Sequence, residues 1–244
     1  MDQLENNFNL EQKMPKALPR TFVSNVFLWM FAALGITAFV AYIFGTNPSL
    51  LSTLITVTPT GESKINILGW ISIFAPFIIV LVMTMRVNKM SLSSMVLLYV
   101  LYSVLMGLSL SFIFVIYTQA SIFKTFIITS AMFGTMAIVG YTTKTDLTKL
   151  GSFLLMALIG IIIATLINMF TRSSQLDFII SIIGVIIFTG LTAYDVQKIK
   201  RIGESGMLEG DMMAKITIHA ALSLYLDFIN LFLYLLRFFG NSRD

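Results

Sequence analysis

The sequence predicts an all-α polytopic membrane protein of seven transmembrane helices, six of them surrounding a central C-terminal helix. The first observation is composition: 57% of the 244 residues are hydrophobic, 11% are charged and the mean hydropathy is +0.89, outside the range of soluble domains. The second is that the apolar residues arrive in seven long runs. A hydrocarbon core of about 30 Å takes roughly 20 residues of helix, whereas a β-barrel would show short alternating segments. The third is the last run, whose polar residues His219, Ser223, Asp227, Asn230, Tyr234 and Arg237 recur every three or four positions, and so share one helical face. Lipid cannot solvate that stripe, because a carboxylate at depth costs about 2.5–3.5 kcal/mol even on a lenient insertion scale. The seventh helix must therefore face protein or a water-filled cavity, and a place among the other six satisfies this.

Taken in order, residues 1–21 are polar, mixed in charge and carry Pro15 and Pro19, which reads as a flexible cytoplasmic tail. They lack the short apolar core and small-residue cleavage site of a signal peptide. Residues 22–240 form the seven-helix domain, with helices expected at Phe22 to Phe44, Ile65 to Thr84, Leu92 to Tyr117, Thr125 to Tyr141, Ser152 to Thr171, Phe178 to Ile202 and Ala214 to Phe239; residues 241–244 are a C-terminal tail. The one long connection, residues 45–64, contains an apolar LLSTLITV segment suited to the membrane surface. Small residues at four-residue spacing, Ser103, Gly107 and Ser111 in the third helix and Ser130 with Gly134 in the fourth, let backbones pack closely. Helices one to three and four to six can be grouped as two triplets, a division common in transport proteins, although no sequence match joins them.

Eleven Lys and Arg residues fall in the tail and the second, fourth and sixth loops, against five on the other side. The positive-inside rule then places the N-terminus in the cytoplasm and the C-terminus outside, in a cell inner (plasma) membrane. These basic residues are scattered at helix ends, so the net charge of +4 marks topology and not a nucleic-acid partner. With no cysteine, disulfides and thiol chemistry are excluded. There is no HExxH, nucleophile elbow or phosphate-binding glycine loop. The second intramembrane aspartate has the context YLDF instead of the GxGD of intramembrane aspartyl proteases. The reading is of a protein that is not an enzyme and carries no cofactor.

Two acidic residues fall inside the expected spans, Asp195 and Asp227, on consecutive antiparallel helices. Counted from the helix ends, their depths differ by roughly 9 Å, which a tilt or an early start of the seventh helix absorbs. Two carboxylates sharing a low-dielectric site cannot both ionise cheaply, so the pair holds one proton over some range of pH and acts as a proton sensor. It is also a partial ligand set for Ca²⁺, which takes six to eight oxygens; Asn230, Thr192, Tyr194, carbonyls or water would supply the rest. The alternative is that each Asp only accepts hydrogen bonds and sets helix register. His219, two turns from Asp227, is either a proton relay or a plain hydrogen-bonding residue. Arg86, in the turn after the second helix, either pairs with an ionised carboxylate and closes the cytoplasmic end or simply anchors topology.

The segments FTGLTAYDVQKIK and HAALSLYLDFINLFLYLLR resemble the closing signature of the Bax-inhibitor (transmembrane Bax inhibitor motif) family, and GYTTKTDLTKLGSFLLMALIGIIIATLINMF resembles its bacterial branch. The resemblance implies six helices around a central seventh, a di-aspartyl unit at Asp195 and Asp227, pH-dependent leak of Ca²⁺, and a latch arginine that falls on Arg86. It also implies an alternative role, contact inhibition of a membrane-bound AAA+ protease. Deleting Met1 to Pro19 separates the two, since loss of protease binding with flux intact would favour the second.

Overall fold

The computed structural model describes residues 18–57, 63–206 and 210–241. The expected tail lies mostly outside the described residues, as do residues 242–244 of the C-terminal one. Seven described helices are long and apolar enough to cross a membrane. They are α1 (Leu18–Thr46), α3 (Ile67–Arg86), α4 (Leu92–Leu110) with its short continuation α5 (Ile113–Ile116), α6 (Gln119–Thr142), α7 (Thr148–Thr171), α8 (Ser174–Ser205) and α9 (Gly210–Phe239).

Most of these helices extend beyond their apolar runs, because polar residues at their ends supply caps. The α6 helix begins six residues before the expected Thr125, where the Thr118 side chain accepts from the Ser121 N–H at 3.3 Å. The α8 helix starts behind Ser173, whose hydroxyl accepts from the Leu176 N–H, and so takes in Asp177. Such caps satisfy the free N–H groups of a first turn. The α9 helix starts at Gly210 rather than Ala214, with Gly210 at a positive φ of 57°. The third helix is interrupted after Leu110 and resumes at Ile113.

The long connection is structured. A short helix, α2 (Pro48–Leu51), is capped by the Asn47 side chain, and strands β1 (Ile55–Val57) and β2 (Ser63–Ile65) pair antiparallel, Ile55 opposite Ile65. Leu54 of the apolar segment is buried, and Asn66 caps α3 while its amide donates to the Thr53 carbonyl at 2.8 Å.

Helix α9 is the centre of the bundle: 67% of an 18-residue apolar stretch of it is buried, against at most 44% for the corresponding stretch of any other described spanning helix. Its inner wall is α1, α4, α6 and α8, while α3 packs outside on α4 and α7 outside on α8. Two triplets are therefore visible in the packing. In α1–α3–α4 and again in α6–α7–α8 the third helix contacts both others, and α9 lies against the first and third of each. Sequence comparison could not detect this, because packing of apolar side chains constrains volume and spacing more than identity.

Close approach sits where small residues allow it. A Cβ on Gly107 would strike Val40 and the Thr37 carbonyl of α1, and Ser103 is fully buried, its carbonyl accepting from the Thr37 hydroxyl at 2.9 Å. Gly134, by contrast, would meet nothing within 4 Å, so the small pair of the fourth helix does not make a comparable seam.

Candidate functional site: a carboxyl pair in the α8–α9 hairpin

The register of α8 against α9 is set by aromatic packing. The Tyr234 ring lies over Gly184, where a Cβ would strike it, and stacks on Phe188 with centroids 5.8 Å apart. Seven residues beyond Phe188 is Asp195, and seven residues before Tyr234 is Asp227. In an antiparallel pair both steps run the same way, by about 10.5 Å, and seven residues are within about 20° of two full turns. The carboxyls are therefore level and on facing sides. The depth difference expected from counting helix ends disappears because α9 begins early: its first turns lean toward the start of α1, where Gly210 and Met213 line a small cavity with Phe22 and Asn25.

The charge of Asp195 acts on the Asp227 carboxyl. Asp227 is 5% exposed, and its Oδ2 is fully buried with no hydrogen-bond partner among the described residues. Asp195 is half-buried, one turn from the exposed Lys198, whose ammonium acts on both Asp195 and His219. The polar stripe of α9 is thus graded. Asp227 is enclosed, His219, Ser223, Asn230 and Tyr234 are half-buried, and Arg237 is exposed and paired with Asp177 at 3.5 Å. The most enclosed residues of α9, Ala221, Leu224, Tyr225 and Leu231, lie off the stripe.

The other expected site residues are placed as follows. Thr192 is fully buried, its hydroxyl donating to the Phe188 carbonyl at 2.7 Å. The Asn230 amide donates to the Leu226 carbonyl at 2.8 Å. The Tyr194 ring leans on Gly151 of α7 and lines a cavity of about 290 Å³ at the Asp195 end of the bundle. Arg86 is exposed at the end of α3, a helix held chiefly by α4, and among the described residues no ion pair joins it to either aspartate. No group of three or more His, Cys, Asp or Glu side chains converges to hold a metal among the described residues.

Sequence reasoning missed the residues that close this end. The Gln197 side chain accepts from the Leu147 N–H at 2.9 Å and donates to the Thr145 carbonyl at 2.8 Å. Arg201 donates to Asp146 at 2.8 Å and to the Thr148 hydroxyl at 3.1 Å, and Lys200 donates to the Tyr141 carbonyl at 2.9 Å. Together they strap the end of α6 and the α6–α7 loop onto α8, two to six residues beyond Asp195. The hydroxyl and N–H of Thr148, helped by Arg201, hold the Asp146 carboxyl below the ordinary carboxylate range. The available signal was the acid in KTDLTK opposite the cluster KIKR, which reads equally well as loop and topology charge.

The family model described as "Inhibitor of apoptosis-promoting Bax1" matches residues 19–244. The chain is 43% identical to the Escherichia coli (strain K12) "Inner membrane protein YbhL" over 244 residues, covering 100% of both chains. It is 44% identical to a protein of Borreliella burgdorferi, over 96% of this chain and 97% of that one. A third relative, RP147 of Rickettsia prowazekii, is 49% identical over 72% of this chain and 74% of its own.

Proposed function

Because the chain belongs to the Bax inhibitor-1-like family of integral membrane proteins, we propose that it is a pH-sensitive cation (Ca²⁺) leak pathway governed by Asp195 and Asp227. The observation that carries the reading is the enclosed Oδ2 of Asp227, without a hydrogen-bond partner among the described residues, on the side of α9 that faces Asp195 of α8. Two ionised carboxylates in a medium that solvates neither repel strongly, so the pair carries one proton over a range of pH. Gain or loss of that proton changes the force between α8 and α9 and hence the closure of the Asp195 end.

Ca²⁺ enters this scheme as cargo. Two carboxyls and the Asn230 amide oxygen fall short of its usual six to eight ligands, which suits brief residence better than storage. The bias of Lys and Arg assigns the Asp195 end to the cytoplasm, and the loop strapped by Gln197 and Arg201 would then lie over the cytoplasmic mouth.

The test is Ca²⁺ flux into proteoliposomes across pH. Asp195→Asn and Asp227→Asn are each expected to flatten the pH profile, while Arg86→Ala raises flux at the closed end of the range if that arginine latches the shut state. An unchanged profile in both Asn variants would overturn the proposal.

A further inference from the structure

The two triplets meet asymmetrically around α9. On one side α1 packs directly on α8, whereas on the other α4 and α6 touch mainly through the short α5. The seam left there is a cavity of about 460 Å³, lined by residues between 34 and 42 of α1, 110 and 114 around the α4–α5 break, 119 and 126 of α6, and 228 and 232 of α9. That volume falls within the range of small-molecule sites.

The lining decides what it can hold. It is almost wholly apolar, and a water needs about two to four polar partners to be held, so the lining suits hydrocarbon better than water or ions. Of its polar side chains, Thr37 is already committed to the Ser103 carbonyl and the Tyr225 hydroxyl. Gln119 is exposed at the first residue of α6, at the end of the bundle away from Asp195. The rim residues Tyr42 and Phe123 are 57% and 68% exposed and face the bilayer, so the opening is lateral.

The dimensions match one leaflet. Residues 34 to 42 of α1 rise about 12 Å, close to the roughly 15 Å that half of a 30 Å hydrocarbon core provides.

We infer that this cavity is a binding site for one acyl chain of a membrane phospholipid from the leaflet at the Gln119 end, its polar region level with Gln119. The chain wedges the α4–α6 seam and presses on Phe228, the residue after Asp227. The inference does not depend on the proposed leak activity.

Photolabelling tests it. The full-length protein, in nanodiscs containing a phospholipid with a mid-chain diazirine, is irradiated and its peptides mapped by mass spectrometry. Label is expected on Phe228, Ile229 and Phe232, which are at most 4% exposed and line the cavity. Ala41→Phe, filling the interior, and Ala38→Trp, at the exposed rim, are expected to abolish that label. Gly134→Trp, on a face with no neighbour within 4 Å, leaves it intact. If Ala41→Phe fails to fold, Ala38→Trp still reads the site. Label spread evenly over lipid-facing residues with none on the buried three, or label from a diazirine fatty acid but not from the phospholipid, overturns the inference.

Discussion

Replacing Asp227 by leucine should make the protein more stable. The residue is 5% exposed and its Oδ2 has no partner among the described residues. A buried polar atom left unpaired costs about 1–3 kcal/mol, and replacing a buried ionisable group by an apolar one of similar size is often neutral or stabilising. For a chain of this length each kcal/mol moves the melting temperature by about 2–4 °C, so the variant should melt about 2–12 °C higher in mild detergent. Thermal unfolding followed by circular dichroism reads the shift. Leu231→Ala provides the scale: Leu231 is fully buried in the same helix, and its truncation should lose about 2–5 kcal/mol. Should Asp227→Leu instead lose as much as Leu231→Ala, the carboxyl is a satisfied anchor, and the view of it as a group kept at a cost to stability fails. A gain in stability accompanied by lost activity would be the expected exchange between stability and function.

Two further outcomes follow from the packing and the strap. Gly140→Ala should be severely destabilising, since a Cβ there runs into the Ala193 backbone beside the carboxyl pair, while Gly134→Ala, with nothing within 4 Å, should gain about 0.5–1 kcal/mol from helix propensity; thermal melts of the two compare them directly, and equal effects would refute the close α6–α8 crossing. Because the Asp146 carboxyl is held below the ordinary range by Thr148 and then Arg201, its contribution to loop docking is fully present above the unfolded value of about 3.9 and is lost as pH falls through the lower folded value. Hydrogen exchange of the Leu147 and Thr148 amides should therefore keep constant protection factors between about pH 5 and pH 8; protection that fades over that interval, or survives Asp146→Asn unchanged, contradicts the role of the strap.

The number and type of the membrane-spanning elements, and the presence of two aspartates inside them, were legible without coordinates. Apolar runs of about 20 residues have few physical solutions other than a spanning helix, and an aspartate inside such a run is costly enough to be conspicuous. The polar stripe of α9 pointed to a helix sheltered from lipid, and α9 is central, but of the stripe only Asp227 is enclosed and the most buried positions, Ala221, Leu224, Tyr225 and Leu231, lie beside it. Helix ends were less legible, since capping by Thr118 and Ser173 depends on local backbone geometry that an apolar count ignores.

What tertiary structure alone decided was register and partnership. That Asp195 and Asp227 are level follows from Tyr234 seating on Gly184 and Phe188, a fit of shapes between two helices that neither segment announces by itself. The choice of Gln197 and Arg201 to bind the α6–α7 loop, the exposed place of Arg86 at the end of α3, and the open seam between α4 and α6 belong to the same class. Membrane insertion is governed by the hydropathy of each segment taken alone, so it is written along the chain. Which faces then meet is settled by packing between segments far apart in sequence, and that information exists only once they are assembled.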